Sequence, residues 1–74
     1  MTKPPRFVLC VRNRGYAASL EIRKVYRRLV DAKASRLGLL RVVDEWGEDY
    51  LYPVDFFVPL RPPAAALRAL RRRR

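Results

Sequence analysis

Leu39-Leu40-Arg41-Val42-Val43-Asp44-Glu45-Trp46-Gly47-Glu48-Asp49-Tyr50-Leu51-Tyr52-Pro53 is the stretch that decides the fold. Its opening residues are apolar and partly β-branched, which suits a pleated, half-buried strand. Asp44 to Glu48 is turn chemistry, with Gly47 free to take a positive φ, and Asp49-Tyr50-Leu51-Tyr52 returns as a second strand. The reading is a β-hairpin. Strand alternation puts Tyr50 and Tyr52 on one face and Leu51 on the other, so two phenol tips are expected at solvent or at a ligand. Pro53 has no N–H to give a ladder and ends the strand. Val54-Asp55-Phe56-Phe57-Val58-Pro59-Leu60 then reads as a tight turn feeding a last short strand.

Upstream, Pro4 and Pro5 keep the start extended, and Phe7-Val8-Leu9-Cys10-Val11 is an apolar run bounded by Asn13-Arg14-Gly15, a buried strand entering a turn. Cys10 reads as a small packed hydrophobe, with no histidine to activate it. The segment from Ser19 to Gly38 supports two readings. Ile22, Val25, Tyr26, Leu29 and Val30 recur at helical spacing, Ser19 is a possible cap and Gly38 a possible stop, so periodicity alone favours a helix over residues 19–37 and an α+β fold. The alternative is a strand reading that breaks it into Leu20-Glu21-Ile22, then Val25 to Val30, then a turn or one helical turn over Asp31 to Leu37. Downstream, Arg61-Pro62-Pro63 opens a tail of good helix formers whose only apolar anchors are Leu67 and Leu70. It is marginal as a lone helix.

Composition narrows function. Seventy-four residues allow one small core, no histidine is present, and a single cysteine excludes an internal disulfide and a zinc module. The net charge of +10 is unevenly placed. Eleven basic and two acidic residues lie up to Arg41, five acidic and no basic ones from Val42 to Leu60, and six arginines from Arg61 onward. Without the six tail arginines the charge falls from +10 to +4, ordinary for a small domain. The expected organisation is a domain over residues 1–60 and a Pro/Ala/Arg-rich cationic tail over residues 61–74. No stretch is apolar enough to span a membrane or to serve as a signal-peptide core, so the expected location is cytoplasmic.

Gly15-Tyr16, Ala18-Ser19-Leu20-Glu21, Val25-Tyr26, the hairpin from Gly38 to Pro53, and Phe56-Phe57-Val58-Pro59 together resemble a group of short bacterial proteins that are single SH3-like β-barrels. The similarity spans about residues 6 to 60 and leaves out the tail. It is most specific from Gly47 to Val58, which is similar to the end of an SH3 domain: a hairpin, a proline, and an aromatic in one 3₁₀ turn before the last strand. The resemblance implies that Pro53 and Phe56 take those two places. It also implies an all-β barrel of about five strands, and turns Ser19 to Val30 toward loop plus strand. An SH3 peptide groove further uses a tyrosine-rich first loop and a tryptophan opening the third strand. Here the third strand opens with Leu39-Leu40 and Trp46 lies in the hairpin turn, so binding of proline-rich peptides is not expected.

The functional expectation is a non-enzymatic basic binding module without cofactor or metal. Arg12, Arg14, Arg23, Lys24, Arg27 and Arg28, with Arg71, Arg72, Arg73 and Arg74, are candidate contacts for the phosphates of RNA, a ribosome or DNA. Tyr16, Trp46, Tyr50, Tyr52 and Phe56 are candidate aromatic platforms for bases or for a protein partner. The plainer reading of the same residues is a solvated cationic face and a barrel surface. A second functional reading is protein interaction or self-association, favoured by surfaces of opposite sign on one chain. Catalysis is not expected. Ser19 and Ser35 have no histidine beside them, and Asp44, Glu45, Glu48 and Asp49 read as solubilising turn charges.

Overall fold

A computed structural model describes residues 6–61 and 63–71. The start expected to be extended at Pro4 and Pro5, and the candidate cations Arg72, Arg73 and Arg74, lie outside the described residues. The elements are β1 (Phe7–Cys10), β2 (Val25–Leu29), α1 (Ala32–Arg36), β3 (Leu39–Val43), β4 (Asp49–Pro53), a 3₁₀ turn (Val54–Phe56), β5 (Phe57–Leu60) and α2 (Ala64–Arg71). Five antiparallel strands form one sheet in the order β4-β3-β2-β1-β5. The all-β expectation and the 3₁₀ turn at Pro53 to Phe56 therefore hold, but the ladder stays open. Among the described residues, β4 and β5 are its two edges and do not pair. No helix is long and apolar enough to cross a membrane among the described residues.

The helix over residues 19–37 does not form. Its periodic residues Ile22 and Val30 are exposed, at 43% and 72%, whereas a helix would bury both. Arg23 takes a φ of 71°, which no α-helix tolerates, and its N–H bonds the Cys10 carbonyl at 2.7 Å. Val25 to Leu29 instead gains ladder partners on both sides, Tyr26 opposite Val8 and Arg28 opposite Val42. Tertiary pairing outweighs the local pattern because β-branched Val25 loses little as a strand residue. The one helical turn that the strand reading allowed over Asp31 to Leu37 is α1. Asp31 caps it by accepting the Ala34 amide at 3.0 Å, and Gly38 closes it at φ 75°.

The core forms where successive strands put alternate residues on one concave face. Val8 and Cys10, Tyr26, Val42, Tyr52 and Phe57 meet there, joined by Leu20 from the β1–β2 loop and Phe56 from the 3₁₀ turn. Burial pushes the Cys10 thiol pKa up, as befits a packed hydrophobe. The Phe56 carbonyl accepts the Val11 and Arg12 amides at 2.8 and 3.3 Å, fastening the 3₁₀ turn to the end of β1.

Candidate functional site

The long β1–β2 loop is ordered from within. Leu20 is sunk in the core at 1% exposure, and Asn13 donates its amide to the Leu20 carbonyl at 2.9 Å. The Tyr16 carbonyl accepts the Ser19 and Leu20 amides. The loop is then stitched to the β3–β4 turn: the Glu45 amide donates to the Ser19 carbonyl at 3.1 Å, and Trp46 donates Nε1–H to the Ala18 carbonyl at 3.1 Å. Between the two lies a shallow groove of about 610 Å³, walled by Ala17, Ala18, Ile22, Glu21, Glu45 and Trp46 among others.

Asp44 holds the β3–β4 turn from which Glu45 and Trp46 reach that groove. It is buried, and its Oδ1 accepts the Trp46 and Glu48 amides at 2.9 and 3.1 Å while Oδ2 accepts the Tyr52 hydroxyl at 3.3 Å. This carboxylate is a turn cap, with its lone pairs taken up by the fold. Glu45 accepts Lys24 Nζ–H at 2.8 Å and the Tyr26 hydroxyl. Those two bonds, Lys24 first, hold its carboxyl below the usual range. Burial, followed by the bond to Glu45, pushes the Tyr26 phenol upward, so it stays a donor.

Two of the five expected aromatic platforms are not surface at all. Tyr52 is 2% exposed and Phe56 8%, both packed in the core. The shared face assigned to Tyr50 and Tyr52 is real, but it is the concave face of the sheet, and it carries Tyr52 inward while Tyr50 lies toward the edge, 53% exposed. Tyr50 donates its hydroxyl to Glu48 at 3.0 Å. Tyr16 packs edge-on against Tyr52 and Phe56, with ring centroids at 5.2 and 5.9 Å, and covers the core with one face outward. Trp46 is the most exposed aromatic among the described residues at 73%.

The expected cations divide between the two ends of β1. Arg12, Arg14, Arg23 and Lys24 lie at the loop end, where Arg12 donates Nη1–H to the Asp55 carbonyl at 3.0 Å and Lys24 is paired with Glu45. Arg27 and Arg28 lie at the other end, beside two arginines that sequence reasoning left without a role. Arg6 sits opposite Arg28, whose amide donates to the Arg6 carbonyl at 2.7 Å, and Arg61 follows the Phe7–Leu60 pair. Neighbouring strands lie about 4.8 Å apart, so Arg61, Arg6 and Arg28 occupy adjoining positions across β5, β1 and β2. The signal was present in sequence: Phe7 and Leu60 bound two apolar runs, each flanked by an arginine, and antiparallel pairing of those runs brings the flanks together.

Arg41 takes both Asp31, at 2.9 Å, and Asp49, at 3.0 Å. Arg6, Arg27 and Arg61 form no ion pair among the described residues. α2 begins beyond Arg61, with Arg68 exposed and Arg71 as its last residue. The side chains of Leu67 and Leu70, expected to anchor it, are outside the described ones. Among the described residues no cluster of three His, Cys, Asp or Glu stands ready for a metal. Searched against protein-family models, curated proteins and solved structures, the chain matches none of them.

Proposed function

We propose that this protein is a non-enzymatic binding module that contacts the phosphates of RNA, free or within a ribosome, through one cationic end. The observation that carries the reading is the convergence of Arg6, Arg28 and Arg61 at the end of β1, with exposed Arg27 beside them on β2 and the arginine tail starting there. Guanidinium groups in a row suit successive phosphates, and Arg6, Arg27 and Arg61 form no ion pair among the described residues. Arg12, Arg14, Arg23 and Lys24 at the far end are a secondary set, partly engaged by Asp55 and Glu45.

Fluorescence anisotropy with single-stranded RNA and with duplex DNA, across a salt series, tests it. The expected result is saturable binding whose log–log salt slope is roughly −0.7 to −0.9 per phosphate contacted. The double variant Arg27→Ala/Arg61→Ala should flatten that slope by about 1.4 to 1.8. Absence of saturable binding to either nucleic acid at low salt refutes the proposal. A second reading, protein interaction, is favoured by a separate observation: the groove under Trp46, which the cationic end does not use.

A further inference from the structure

The groove between the β1–β2 loop and the β3–β4 turn combines an apolar floor with an acidic rim. Ala17, Ala18 and Ile22 form the floor, and Trp46 stands over it. That indole is 73% exposed yet oriented, because its N–H is held by the Ala18 carbonyl. An oriented, exposed tryptophan face attracts guanidinium groups. The rim carries Glu21 and Glu45. Glu21 forms no ion pair among the described residues, and Glu45 is paired with Lys24. Arg23 and Lys24 stand at the same end, but the groove's own lining carries two carboxylates and no cation, so the occupant that fits it is cationic, with small or aliphatic side chains between its charges.

The chain contains such a segment. Leu67-Arg68-Ala69-Leu70-Arg71-Arg72-Arg73-Arg74 places leucines three apart among five arginines. Ala64, Ala65, Ala66, Arg68 and Ala69 of α2 are all exposed, so those residues are not docked on their own domain. The tail leaves the sheet at the Phe7 end, where β5 finishes, whereas the groove lies past the Cys10 end, beside Lys24 and Glu45. We propose that the groove takes the arginine-rich tail of a second copy of this chain, a guanidinium stacking on Trp46 and others pairing with Glu21 and Glu45. Reciprocal exchange of the two tails closes a two-fold dimer, whereas one-way docking would run on into a filament.

Trp46 is the only tryptophan, so its emission reports on the groove alone. Nuclease-treated full-length protein is followed by sedimentation equilibrium and Trp46 fluorescence up to about 100 µM in about 50 mM salt. The expected result is a mass rising from 8.7 kDa toward double that value, with a blue shift of Trp46 in step, both reversed by added salt. Two variants keep the test specific. Glu21→Lys, at an exposed position, should weaken dimerisation about tenfold, and serine at Arg68 and Arg71 to Arg74 should abolish it. A mass of 8.7 kDa throughout, with constant emission, overturns the proposal. So does a tail variant that dimerises like the parent, or a Trp46 shift without a change of mass, which would place the tail in its own groove. Glu21→Lys should still bind RNA, so failure of the dimer and failure of RNA binding are read separately.

Discussion

Replacing Asp44 with alanine removes the one buried charged side chain among the described residues and the cap of the hairpin that decides the fold. Three donors lose their acceptor: the Trp46 and Glu48 amides, at 2.9 and 3.1 Å, and the Tyr52 hydroxyl, at 3.3 Å. Hydrogen bonds to a charged acceptor contribute about 1.5–3 kcal/mol each, but the two amides lie at a turn that water reaches once the side chain is gone, which returns most of their share. The Tyr52 hydroxyl is buried and regains no water, although Ser19 remains beside it. The net loss is about 3 kcal/mol, against a total stability of about 4–11 kcal/mol for a chain of this size. That corresponds to a Tm lower by about 12–24 °C. Urea unfolding followed by Trp46 emission measures it, with Asp44→Asn as the control that keeps an acceptor for both amides and should lose only about 1 kcal/mol. An Asp44→Ala protein within about 0.5 kcal/mol of the parent, at unchanged m-value, refutes the capping role.

Two further outcomes follow from the same bonds and backbone. Glu45 is held below the usual carboxylate range by Lys24 and then Tyr26, and Asp31 by the Ala34 amide and then Arg41. Both folded pKa values lie below their unfolded values of about 4.3 and 3.9, so the stabilisation is complete above those values and is lost as pH falls through the lower folded ones. Tm should be level from about pH 7 to 5 and fall below about pH 4, with the acid loss smaller in Lys24→Gln; a level Tm down to pH 2 contradicts this. Arg23→Gly should raise stability by about 0.5–1 kcal/mol, because glycine takes the φ of 71° without the strain of a Cβ, and a drop in a thermal melt would mean that the Arg23 side chain contributes contacts of its own.

The hairpin was legible in the residues because local signals agree with one another there: β-branched residues, an acidic turn with a glycine, and a returning tyrosine strand ended by proline. Residues 19–30 were not legible from periodicity, since Ile22, Val25, Tyr26 and Leu29 satisfy a helical stripe as well as a loop and strand. Only β1 and β3, distant in sequence, supply the partners that make the strand win. The aromatic platforms failed for a related reason. Alternation places Tyr50 and Tyr52 on one face but does not say which face a bent sheet turns inward, or how deep along it each residue lies.

Sequence by itself determined the hairpin, the strand at Phe7, the turn before β5 and the split of charge into a basic half, an acidic turn and a cationic tail. These are local matters of backbone preference and counted charge. Tertiary structure alone decided which cations stand together and which are spent. Pairing of β1 with β5 and β2 joins Arg6, Arg28 and Arg61 across 55 residues of chain, while Arg41 consumes Asp31 and Asp49. It also decided that Trp46 faces outward over a groove while Tyr52 is buried, because exposure depends on what the rest of the chain places on top, and a linear string does not carry that information.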